Sequence, residues 1–147
     1  MGIFEIFGKG SAGNDEVKLK IAQDGEGMLS GLSLRQVMDA HSAWKGKLQK
    51  MLEGVSDENF DIVKVSEDCH CFLGKWIYGE GKVYSRMPEY ESLRRAHANF
   101  HLCAGEVLTQ HILGNSEESE RLLKTKFRST SNRNQLELVR LFTAAKR

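Results

Sequence analysis

The sequence predicts an all-α fold, an antiparallel four-helix bundle with an additional short helix or extended connection. Three observations point there. A single proline occurs in 147 residues, against an average of roughly 5%. Proline breaks helix interiors by removing a donor and crowding the preceding turn. Apolar residues also recur at three- and four-residue spacing over long stretches, the pattern of helices with one buried face. Glycines stand where those stretches stop, as helix C-termini favour.

The first helix is predicted from about Ser33 to Glu53, with Ser33 as N-cap and Gly54 past its end. Leu34, Val37, Met38, His41, Trp44, Leu48, Met51 and Leu52 form its inward stripe. Between Gly54 and Ser66 the pattern weakens, and Asp61 to Val65 reads as an extended connection. A second helix is expected to start at Ser66, with Glu67 and Asp68 complementing its dipole. It holds Cys69, Phe72, Leu73, Trp76 and Ile77 on one face and ends near Gly79. A third helix runs from about Pro88 to Leu113, stopped by Gly114, with Tyr90, Leu93, His97, Phe100, Ala104, Val107 and His111 inward. A fourth helical region spans about Ser116 to Lys146. Its polar middle, Arg128 to Gln135, is where a bend or break is expected.

Residues 1–31 carry many of the glycines, with Ser11, Asn14 and Asp15, and read as a flexible segment. The cluster Ile3, Phe4, Ile6 and Phe7 marks it as a candidate docking element. Residues 32–147 form the helical domain.

With 21 basic and 20 acidic residues the net charge is +1, which gives no reason to expect nucleic acid or an anionic membrane as partner. No apolar run reaches the roughly 20 residues of a membrane-inserting helix, and the opening residues lack the pattern of a signal peptide. A soluble, cytoplasmic protein is expected. In that compartment Cys69, Cys71 and Cys103 are free thiols or metal ligands.

His97 and His101 stand four apart on a helix, so both imidazoles can reach one ion. Ala98 follows His97 where a zinc protease would carry glutamate. His41 lies on the inward stripe of another helix, and a buried ring must find partners for its nitrogens. A cysteine completes a metal-ligating set. Cys69 fits the helical stripe, Cys71 reaches the bundle if it sits at the helix start, and His70 is a weaker competitor. Helical spacing leaves these open. No position for an activated water and no convergent acid–base pair is evident; Asp39, Glu53, Glu89 and Glu91 read as solvated charges. An enzyme is not expected.

The run Cys71-Phe72-Leu73-Gly74-Lys75-Trp76 resembles the Cys-x-Leu-Gly-x-Trp signature of the bacterial chemoreceptor zinc-binding family. The other family elements follow in order: His41 with Trp44 upstream, then His97-x-x-x-His101 downstream. The resemblance covers about residues 34–142. It implies Cys71 as the cysteine ligand, one Zn2+ held by His41, Cys71, His97 and His101, and Gly74 and Trp76 as structural neighbours. Three imidazoles and one thiolate suit a closed tetrahedral zinc site, which disfavours catalysis.

Members of this family are regulatory modules of chemoreceptors and diguanylate cyclases that form helical homodimers. The resemblance therefore implies a sensor of zinc availability or of cysteine oxidation, some members being implicated in sensing hypochlorous acid. Without a cyclase domain or signalling hairpin in these residues, output is expected through a partner protein of a chemoreceptor or diguanylate cyclase pathway. The alternative is a structural zinc in a helical adaptor.

Overall fold

The computed structural model describes residues 27–55 and 60–146. Of the segment 1–31 expected to be flexible, residues 1–26, with the candidate docking cluster, lie outside them. The described chain is dominated by helices, as the periodicity predicts. It opens with a two-strand hairpin, β1 (Met28–Leu29) and β2 (Leu32–Ser33), paired antiparallel with Leu29 opposite Leu32. Ser30 and Gly31 turn it at φ 44° and 80°, the conformation that a tight hairpin requires. Leu29 and Leu32 are buried and join the core.

Helix α1 (Leu34–Leu52) starts where Ser33 accepts the Gln36 N–H and stops at Gly54, which holds φ 76°. A short helix α2 (Ile62–Ser66) follows. The sequence reading has this stretch extended; it is helical because the Asp61 carboxylate caps the N–H groups of Val63 and Lys64. Helix α3 (Phe72–Ile77) comes next, then a 3₁₀ turn (Glu80–Tyr84). Helix α4 (Pro88–Ile112) is the central element, with proline at its start and Gly114 at φ 82° after it.

Helices α5 (Ser116–Leu122) and α6 (Arg128–Ala145) are joined by a π-helical stretch, Leu123–Phe127, in which right-handed backbone continues without a break. The irregularity thus sits ahead of the polar stretch where a bend is expected. That polar stretch is regular helix, and Ser131, Asn134 and Gln135 in it are buried. Of these, Ser131 meets His41 and Lys45 of α1.

Two apolar clusters flank the middle of α4. One gathers Leu34, Leu73, Ile77, Leu93, Leu141 and Phe142; the other gathers Leu48, Phe100, Leu108, Leu123 and Phe127. Each fully buried side chain of this size contributes about 1.5–3 kcal/mol of transfer free energy. His97 and His101 lie on α4 between Leu93 of the first cluster and Ala104 of the second, and both are buried.

The second expected helix is corrected most. It begins at Phe72 rather than Ser66, and Cys69 and Phe72 are exposed rather than part of a buried stripe. The cause is a close approach. A Cβ on Gly74 would lie 1.8 Å from the Asp68 carbonyl oxygen, so the chain from Glu67 to Cys71 folds back across the start of α3. Glu67 is already extended, at φ −89° and ψ 133°. Gly74→Ala should therefore destabilise the domain by at least about 2 kcal/mol, since a rigid backbone oxygen must move. An unchanged urea midpoint in that variant would show that the loop does not pack as described.

Candidate metal centre

Cys71 is the N-cap of α3. Its backbone is extended, and its Sγ accepts the Gly74 N–H at 3.3 Å. Absence of a side chain at Gly74 is what lets the preceding loop close and aim this sulfur inward. Opposite it, the 3.6-residue period of α4 puts His97 and His101 on one face.

The three side chains converge. Cys71 Sγ lies 3.1 Å from His97 Nε2, and His97 Nε2 lies 3.2 Å from His101 Nε2. All three donor atoms fall within 4.8 Å of one another. Tetrahedral zinc ligands at about 2.0–2.1 Å (nitrogen) and 2.3 Å (sulfur) lie about 3.3–3.6 Å apart. The observed spacings are within a few tenths of an ångström of that.

Protonation agrees with ligation. His101 Nδ1 is 2.8 Å from the Val65 carbonyl, which only accepts, so Nδ1 carries the proton and donates. The neutral ring then presents a bare Nε2 lone pair to the cluster, and the carbonyl holds the ring's orientation as a ligand's outer partner does. Burial holds His101 below the usual histidine range, outweighing the Val65 carbonyl and the Asp68 charge, which act the other way. Burial, and then His101, pushes His97 down to about 3. Both rings are neutral near pH 7. His97 Nδ1 is buried with no hydrogen-bond partner among the described residues. Burial outweighs the N–H groups at the helix start and raises the Cys71 thiol above its ordinary value. The short α3 thus does not by itself favour thiolate.

His41 lines the same cavity, of about 380 Å³, with Val37, Ala40, Trp44 and Phe100 as apolar wall. Its ring stacks obliquely on Phe100 at 4.5 Å between centroids. Its Nε2, however, is 3.0 Å from Ser131 Oγ, which also accepts from Lys45 Nζ at 3.1 Å. His41 is therefore not within the 4.8 Å grouping of the other three donors. Burial and the neighbouring Lys45 charge hold it well below the usual histidine range.

Ser131 and Lys45 were not singled out from the sequence. Lys45 is one turn beyond His41 on α1, and Ser131 lies in the polar stretch of α6. A polar residue inside a helix packed against an apolar stripe was the available signal. The Val65 carbonyl had none, because backbone partners leave no trace in side-chain patterns. Cys69 and His70 do not compete for the buried trio; both face Glu67 at the surface. Trp44, the family element that follows His41, stands 5.9 Å from the His101 ring between centroids. Trp76 is buried nearby and donates to the Ser30 carbonyl at 3.1 Å.

No helix among the described residues is long and apolar enough to cross a membrane. No curated protein and no solved structure matches the chain. A family model, that of the chemoreceptor zinc-binding domain, matches residues 41–108. That segment opens at His41 and contains Cys71, His97 and His101. Within it lie a partly buried thiol and two neutral, buried imidazoles set at zinc-ligand spacing. Residues 41–108 thus match the chemoreceptor zinc-binding domain, a regulatory domain whose metal is zinc, and Cys71, His97 and His101 within them form a group able to hold that ion.

Proposed function

We propose that this domain is a sensor, in which His41, Cys71, His97 and His101 hold one zinc ion and its state is passed to a partner protein. The observation that carries the reading is the convergence of Cys71, His97 and His101, with His101 oriented by the Val65 carbonyl. His41 supplies the fourth ligand from the wall of the same cavity. When bound, zinc supplies a closed, charged cross-link between chain segments rather than an activated water.

The residues then do the following. His97 and His101 belong to the rigid α4, whereas Cys71 heads the short α3 and Val65 belongs to the short α2. Two short helices and their loop are thereby tied to the long central one. Cys71 is the weak point, being only partly buried and at the end of a loop. Its thiolate, oxidised by hypochlorous acid, gives a sulfenic acid and chloride, and sulfenic acid is the poorer ligand. Loss of zinc itself has the same consequence for Cys71. Either event detaches the start of α3 from α4 and changes the surface that α2 and α3 present. A homodimer, signalling to a chemoreceptor or diguanylate cyclase pathway, is the assembly that fits a cytoplasmic regulatory module of this family.

After dialysis to remove loosely held metal, elemental analysis should find about one zinc per chain. Cys71→Ala, His97→Ala and His101→Ala should remove most of it. His41→Ala should weaken binding by at least about tenfold while Ser131→Ala does not. Folded wild-type protein that takes up no zinc would refute the site, and His41→Ala with undiminished affinity would refute the fourth ligand.

Sensing is tested separately. Zinc removal or hypochlorous acid should shift the helical circular dichroism or the oligomeric state below the unfolding transition, and Cys71→Ala should abolish the oxidant response. A wild-type signal that changes only on global unfolding would mean a structural staple instead.

A further inference from the structure

The loop between α2 and α3 holds a second set of metal-ligating side chains that the buried centre does not use. Glu67, Cys69 and His70 offer a carboxylate oxygen, a thiol sulfur and an imidazole nitrogen, all within 4.8 Å of one another. His70 Nε2 lies 2.6 Å from Glu67 Oε2, and Cys69 Sγ lies 4.0 Å from that same oxygen. All three side chains are exposed, His70 and Glu67 each by 49%.

The loop that carries them is held at both ends. Glu67 caps α2, its N–H returning to the Val63 carbonyl at 3.1 Å. Asp68 packs its carbonyl into the space over Gly74, and its carboxylate accepts from the Tyr78 hydroxyl at 2.5 Å. Cys71 closes the other end by capping α3. The loop is thus held at its ends and at Asp68 before any ion arrives, so less ordering entropy opposes binding than in a free segment.

We propose that Glu67, Cys69 and His70 form a second, exposed zinc site, separate from the buried one. The donor set selects the ion: thiolate with imidazole suits a borderline-soft divalent cation such as zinc, while magnesium and calcium prefer all-oxygen sets. With three protein ligands at the surface, the remaining position belongs to solvent, so this zinc exchanges faster and is held less tightly than a fully enclosed one. The two sites share one loop, with Cys69 two residues ahead of Cys71. Occupancy of the outer site therefore stiffens the segment that delivers the buried thiol. The proposal does not depend on the buried site acting as a sensor.

The test is a zinc titration of the full chain against a chromophoric chelator, repeated with cobalt to read the thiolate-to-metal charge-transfer band. Wild type should bind a second, weaker equivalent beyond the tight one. Cys69→Ser with His70→Ala should lose the weaker equivalent and keep the tight one, and Glu67→Gln should weaken it. Cys71→Ser with His97→Ala should do the reverse, retaining the outer equivalent and its thiolate band. Three results would overturn the proposal: wild type saturating at the tight equivalent, the weaker equivalent surviving in Cys69→Ser with His70→Ala, or that variant losing both. The last would mean that Cys69 or His70 serves the buried centre. Failure of the buried site alone would show instead as wild type lacking the tight equivalent.

Discussion

The hydrogen bond from His101 Nδ1–H to the Val65 carbonyl organises the middle of this molecule. It satisfies one nitrogen of a buried ring, and a buried polar group without a partner costs about 1–3 kcal/mol. It also decides the tautomer, so the other nitrogen faces inward as a lone pair. And it spans from the central helix to the last turn of α2, fixing where the following loop must begin. The position of Cys71, the reach of its sulfur and the exposure of the residues before it all follow from that anchor and from the contact over Gly74.

The surroundings make the donors better ligands and worse bases. Trp44, Phe100 and Phe127 stack loosely around His101 and His41, with ring centroids 4.5 to 6.5 Å apart. In such an apolar setting a protonated imidazole is poorly solvated, so His41, His97 and His101 stay neutral. Neutral imidazoles bind a cation without first releasing a proton. The same burial raises the thiol of Cys71. A divalent charge nearby is what would reverse that preference and draw out the thiolate.

Placing these groups between two apolar clusters has a mechanical result. Leu93 and Phe142 secure one side of α4, and Leu108 and Phe127 secure the other. The long helices therefore do not need the metal centre to remain packed. The short α2 and α3, with five and six residues, are too short to persist alone. They rely on contacts with α4 and on the side chains that meet there. A change at the centre is thus felt first in these two helices, the least stable part of the described fold.

Much of this was legible in the residues themselves. Ser33, Gly54, Pro88 and Gly114 mark the limits of α1 and α4 because caps and glycine turns act locally. His97 and His101 share a face because helical geometry dictates it, and the run from Cys71 to Trp76 carried the family. The start of α3, the exposure of Cys69 and the partner of His41 were not legible. Each depends on an approach between segments distant in sequence or on a backbone oxygen: Asp68 over Gly74, Val65 on His101, Ser131 of α6 on His41 and Lys45 of α1. Periodicity records which face of a helix is apolar. It does not record which carbonyl or hydroxyl a buried nitrogen will meet, because that partner is chosen only when the helices pack.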